Sequence, residues 1–314
     1  MSGRDASATA VSVEGLRIAA LRVGAPLGVV AIVIAVGVLR LEGQQLGYLA
    51  AFAAAAAALY LARGLGEVRW WAAYILGFLA FAYLRTLADE TGVPWRYGYV
   101  IELEEAVALG RIPSLWLQER WFEAGDGGWF DGAMFGVYIS YFIVPQLAGV
   151  LLWRASRARF RRYVVATLAT FYVGLLIGFA LPTAPPWLAG QEGYIPTVYR
   201  VIVELTSGAG AGAREAGHSL ASANPVAAMP SLHIAVTVIV VLAWWRGPLL
   251  RVAGALYLAA MGLALVYLGE HYAVDLIAGA ALALAAWWAA GRYLGRRERM
   301  VGVSRGSSDA ATGR

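Results

Sequence analysis

An all-α integral membrane protein is the fold class this sequence predicts, and three observations carry the prediction. Only 14% of the 314 residues are charged while 60% are hydrophobic, against roughly 25% charged in an ordinary soluble domain. About eight apolar stretches approach the ~20 residues needed to cross about 30 Å of hydrocarbon. The arginines divide unequally between alternate loops, the pattern of chains oriented by positive charge retained in the cytoplasm.

Taken in order, the stretches are 23–41, 46–62, 68–88, 132–153, 163–181, 230–246, 251–268 and 273–291. The second is alanine-rich and the weakest. The first is preceded by Arg22 and followed by no convincing small-residue cleavage site, so it reads as a retained helix rather than a signal peptide. The expected organisation is a cytoplasmic segment 1–22, two accessory helices within 23–67, a six-helix core over 68–291 and a basic tail 292–314, expected to be disordered. The 37 glycines suit close helix packing in lipid, where small residues let backbones approach.

All the basic residues are arginine, and with the N-terminus inside, 18 of the 25 fall in inner segments. Both termini are therefore expected in the cytoplasm, with loops 89–131 and 182–229 outside. These arginines form short juxtamembrane clusters, not a stripe interleaved with aromatics, which argues against nucleic acid as a partner. Codon bias accounts for the missing lysine more simply than selection does, but its absence removes Schiff-base chemistry and leaves arginine to grip any anion. With no cysteine, thiolate chemistry and disulfides are excluded.

The loop 89–131 carries Trp95, Trp116, Trp121, Phe122 and Trp129 among charges, which reads as helix lying in the headgroup layer. The Gly/Ala run from Ser207 to Ala213 lacks the Gly-Lys-Ser/Thr ending of a phosphate loop and reads as a lid or a linker.

Chemistry collects at the outer ends of three stretches. Ala228-Met229-Pro230-Ser231-Leu232-His233 opens the sixth. Proline suits a first helical turn, and the N–H groups beyond it, with the Ser231 hydroxyl, make an anion site within reach of His233. Gly269-Glu270-His271-Tyr272-Ala273-Val274-Asp275 opens the eighth. His271 and Asp275 are four apart, so on a helix they share a face, and a carboxylate holding one ring N–H leaves the other nitrogen's lone pair aimed outward. Each block also has a plain structural reading, a capped helix start with a packed histidine. The third block, Leu181-Pro182-Thr183-Ala184-Pro185-Pro186-Trp187, ends the fifth stretch. Its prolines stop the helix and Thr183 offers a hydroxyl.

These three blocks, in this order, resemble the membrane-bound type 2 phosphatidic acid phosphatase superfamily, and specifically its inositol phosphorylceramide synthase-like branch, over roughly residues 80 to 290. The resemblance implies a phosphatase-like core formed by the last six helices. It implies that His271 attacks phosphorus to form a phosphohistidine, that Asp275 orients it, and that His233 protonates the leaving oxygen. Pro230, Ser231, Thr183 and Tyr272 would line the phosphate site. The expected substrate is a lipid phosphate in the outer leaflet of the plasma membrane, with water or an alcohol or sugar as acceptor, and neither metal nor cofactor is called for.

The wider superfamily binds phosphate through a lysine and two arginines whose aligned positions here are Gly174, Leu181 and Leu265. Arg85 is the favoured replacement, with Arg120 and Arg200 behind it. Arg85 has its own plain reading, an interfacial arginine reaching for headgroups. Two rival classes remain at this stage. One is a metal-dependent hydrolase using His233, His271 and Asp275 with His218 or Glu270. The other is a non-catalytic lipid-binding or transport protein.

Overall fold

The computed structural model describes residues 68–85, 93–125, 127–207 and 228–312. The first two apolar stretches, the N-terminal segment, the Gly/Ala run beyond Ser207 and His218 lie outside the described residues. The chain divides between Ala80 and Phe81 into two units. Helix α1, Val68–Arg85, crosses that boundary, and its last five residues belong to the second unit.

The second unit is built from α-helices: α2 (Gly98–Val107), α3 (Pro113–Trp121), α4 (Trp129–Ala155), α5 (Arg157–Ala180), α6 (Pro186–Gln191), α7 (Val201–Ser207), α8 (Leu232–Ala243), α9 (Gly247–Tyr267) and α10 (Ala273–Thr312). Among the described residues four helices are long and apolar enough to cross a membrane: Trp129–Ala155, Arg157–Ala180, Gly247–Tyr267 and Ala273–Arg297. They match the fourth, fifth, seventh and eighth apolar stretches. The third stretch forms α1, outside that set, and the sixth shortens to the 12 residues of α8. A count of about eight spans therefore does not follow from the described helices.

Helix α8 is the axis of the unit, packing against α4, α5, α9 and α10. Its residues Ile234 to Val241 are buried all round, as expected of a helix with no polar face. The outer helices instead expose Ile143, Leu147 and Leu151 on α4, Leu176 on α5, Leu256 on α9 and Leu284 on α10. Apolar surface on that scale is unusual for a water-soluble monomer, and suits helices that face lipid.

Twelve residues rise about 18 Å, well short of the hydrocarbon thickness. The helix begins late because Ser231 is extended (φ −64°, ψ 108°), which makes it the residue before the first turn. Pro230 is thereby left outside the helix rather than in its first turn, where the sequence had suggested it.

The end of the bundle away from the histidines is held by arginine. Arg159 donates to the carbonyl of Ala243, the last residue of α8, at 3.1 Å. Arg162 donates twice to the Trp287 carbonyl, at 3.1 and 2.9 Å, with its guanidinium 4.1 Å from that indole ring. It fits because residue 291 is glycine: a Cβ there would stand 2.9 Å from the guanidinium carbon. Arg157 over Trp153 and Arg292 over Trp288 repeat the pairing at 3.9 and 4.7 Å. Helix α10 continues to Thr312. No proline interrupts this stretch, and arginine, its commonest charged residue, is a good helix former.

Candidate active site

The turn before α10 sets the first half of the site. Gly269 has φ +78°, and a Cβ there would approach the Tyr199 carbonyl oxygen to 2.6 Å, so glycine alone fits. The N–H groups of Glu270 and His271 both donate to the Leu265 carbonyl at 3.2 Å. Leu265 is itself fully buried.

His271 thus lies two residues ahead of α10 rather than on it. Asp275, in the first turn, bends back so that Oδ2 accepts from the Tyr272 N–H at 2.9 Å and lies 3.4 Å from His271 Nδ1. The pair forms as the four-residue spacing suggested, but by a capping geometry instead of a shared helical face. A carboxylate only accepts, so this contact assigns the proton to Nδ1 and leaves Nε2 unprotonated, with its lone pair directed away from Asp275. Asp275 is wholly buried and His271 nearly so.

Helix α8 supplies the second half. His233 is its second residue, and its Nδ1 lies 3.4 Å from His271 Nε2. Its ring packs against Tyr138 and Tyr141 of α4, with centroids at 5.0 and 4.3 Å. Sequence reasoning passed over these tyrosines, since aromatics three apart on a span read as ordinary core. Ser231 is fully buried, its N–H donates to the Asp275 carbonyl at 3.0 Å, and its Oγ has no partner among the described residues. No side chain caps α8, so its first-turn N–H groups and the Ser231 hydroxyl remain available to an anion.

The third block forms the adjacent wall. The Thr183 carbonyl accepts from Ala228 N–H at 3.1 Å, which fixes the strand leading to Ser231. The Thr183 hydroxyl donates to the Leu181 carbonyl at 2.9 Å and pairs with the Tyr99 hydroxyl. Its bonding is spent on the wall itself. Tyr272 is buried against Val100 and Val274, and its hydroxyl also lacks a partner among the described residues. Burial, with the nearby Asp275 and Glu104 charges, pushes that phenol far above its ordinary range.

The three candidate arginines separate. Arg85, at the end of α1, is close enough for its charge to act on both His233 and Tyr138. Arg200 is held by Glu270, Nε to Oε1 at 2.7 Å and Nη2 to Oε2 at 3.0 Å, with its guanidinium 4.3 Å from the Trp187 ring centroid. Its charge also reaches Tyr138. Arg120 is exposed, stacked 3.9 Å over Trp116 on its own helix and donating to that residue's carbonyl. Among the described residues no group of three His, Cys, Asp or Glu side chains is arranged to hold a metal ion.

Two histidines facing across 3.4 Å, one of them backed by a buried aspartate, beside a helix start with uncapped N–H groups, form an arrangement chemically able to support phosphoryl transfer. The family model described as the PAP2 superfamily matches residues 99–289, which span all of these groups. The chain belongs to the PAP2 superfamily. That membership indicates a phosphatase-type enzyme. No curated protein and no solved structure matches the chain. In this PAP2 superfamily protein Gly174 is closely packed against an apolar neighbour: a Cβ there would lie 2.6 Å from the Leu232 side chain.

Proposed function

We propose that this protein is a lipid phosphatase or phosphotransferase that works at the outer membrane face through a phosphohistidine on His271. The observation that carries this reading is the aim of the His271 Nε2 lone pair toward His233, with Nδ1 held by Asp275. In the first half-reaction Nε2 attacks phosphorus, the bond from phosphorus to the leaving oxygen breaks, and His233 gives its proton to that oxygen. In the second, water or an alcohol attacks the phosphohistidine, neutral His233 takes the incoming proton, and the P–N electron pair returns to Nε2. The α8 terminus, the Ser231 hydroxyl and Arg85 are the groups that supply positive potential for the phosphoryl oxygens. The Pro-Thr-Ala-Pro-Pro-Trp block, with the Pro-Ser-Leu-His and His-Tyr-x-x-Asp blocks, favours the inositol phosphorylceramide synthase-like branch, and with it an alcohol acceptor.

Purified protein incubated with labelled phospholipids, with and without inositol or sugar acceptors, tests this. Free phosphate marks a phosphatase, and a new phosphodiester that needs the acceptor marks a transferase. No turnover in any arm would overturn the assignment in favour of a lipid-binding protein, and turnover lost only in chelator would favour a metal hydrolase.

Two further results are expected. Asp275→Asn should lower kcat by about 10³- to 10⁴-fold, because asparagine can hold the wrong imidazole tautomer, as when the aspartate of a serine protease triad is changed. Rapid-quench measurement of phosphohistidine formation would show whether the loss lies in the attack. The rate should also follow a bell between about pH 5 and 9, since attack needs neutral His271 and departure needs protonated His233. A flat profile with chemistry rate-limiting would rule out the paired roles.

A further inference from the structure

Helix α2 contradicts its own periodicity. Leu103 and Val107, four apart, are about half exposed, while Val100 and Glu104, also four apart, are fully buried. Burying a carboxylate at the expense of leucine and valine is costly unless it finds strong partners. Glu104 does: Oε1 accepts from the Ala273 N–H at 2.9 Å and Oε2 from the Val274 N–H at 3.0 Å, across a separation of 169 and 170 residues. These are the first two N–H groups of the helix that carries Asp275. Burial raises the Glu104 carboxyl, the two N–H donors pull it down, and Asp275 raises it again.

We infer that Glu104 is a positioning residue for the His271–Asp275 pair, occupying the α10 terminus so that Asp275 stays on His271. The inference rests on the phosphoryl-transfer reading above and follows from a competition for donors. A helix start leaves its first N–H groups without intrahelical partners, and a carboxylate in the first turn readily turns back to satisfy them. Tyr272, the residue before α10, has no carboxylate or hydroxyl near enough to its own backbone to serve as a local cap. Asp275 is the acid nearest in sequence to these donors, yet Tyr272 is the one backbone N–H among the described residues that its side chain accepts from; Oδ1 is unpartnered there and Oδ2 stays beside His271 Nδ1. It can do so because Glu104 already fills the Ala273 and Val274 donors. Without Glu104, Asp275 gains two stronger backbone partners and leaves the imidazole.

The test uses Glu104→Gln in the full chain, purified into lipid nanodiscs. Glutamine has a single acceptor oxygen for two donors and turns its NH₂ toward one of them. Hydrolysis of dioctanoyl phosphatidic acid gives kcat and KM. The ¹⁵N spectrum of labelled histidine, assigned with histidine-to-glutamine variants, reports the His271 tautomer whether or not the probe turns over. The kcat should fall on the order of 10- to 100-fold, the scale seen when a group orienting a functional imidazole is lost. KM should hold, and the Nδ1–H signature should give way to a tautomer mixture. Glu102→Gln, exposed on the same helix, should match the wild type in both readouts. An unchanged tautomer spectrum in Glu104→Gln overturns the inference, as does a kcat loss that only tracks a loss of folded protein by thermal melting. A wild type that leaves the probe intact counts against the phosphatase reading, and the tautomer comparison then decides the role of Glu104 alone.

Discussion

Replacing His271 by alanine is expected to abolish turnover of any phospholipid substrate, a loss of at least about 10⁴-fold, while leaving the fold intact. The size follows from what the side chain supplies. In a covalent mechanism no neighbour replaces the nucleophile, and loss of such a group leaves only what binding and electrostatics provide. His233 is not a substitute, because among the described residues no carboxylate holds its ring as Asp275 holds that of His271; Tyr138 and Tyr141 flank it instead. The fold should tolerate the change since His271 lies in the connection before α10, not in its hydrogen-bonded ladder. Acid-labile phosphate trapped from labelled lipid should appear on the wild type and be absent from His271→Ala. Normal activity in the purified variant would sink the assignment.

The second large effect is expected at Gly279, which touches no substrate. An added Cβ would lie 2.2 Å from the Ser231 carbonyl oxygen and 3.1 Å from its carbonyl carbon, both backbone atoms that no rotamer change can move. Gly279→Ala must therefore push the start of α8 away from α10, separating the anion cradle and His233 from His271. A displacement near 1 Å costs on the order of 10²-fold in rate, and overpacking of this kind costs about 1–3 kcal/mol in stability. Gly295→Ala on the same helix, with nothing within 4 Å of its added carbon, is the control and should be neutral. Activity and melting temperature measured on both variants check the claim. Wild-type turnover in Gly279→Ala would mean that the close approach of the two helices is not needed for the chemistry.

Legibility in the sequence followed the range of the interactions. Four long apolar helices were readable from hydropathy because lipid-facing residues need only be apolar, a property each segment carries alone. His271 and Asp275 were readable because they are four residues apart. The geometry that joins them was not, because whether a helix starts before or after His271 depends on how Gly269 fits against the Tyr199 carbonyl, 70 residues away. Pro230 was misplaced for a similar reason, the extended Ser231 being held by the Asp275 carbonyl. Tyr138, Tyr141, Glu104 and the Arg200–Glu270 pair carried no local signal. An acid on a short helix with two other glutamates reads as solvated, and only the N–H groups of a distant helix make its burial favourable.

The sequence by itself determined that this is an apolar helical protein without lysine or cysteine, and it singled out His233, His271 and Asp275 by their spacing and setting. Those are matters of composition and of short spacings, which no partner segment can alter. Only the tertiary structure decided which donors and acceptors meet: that Glu104 clamps α10, that Thr183 is spent on its own wall, that Arg200 is held by Glu270 while the charge of Arg85 reaches His233. Hydrogen bonds and close packing act over about 3 to 4 Å, so their partners are fixed only when distant segments are brought into contact.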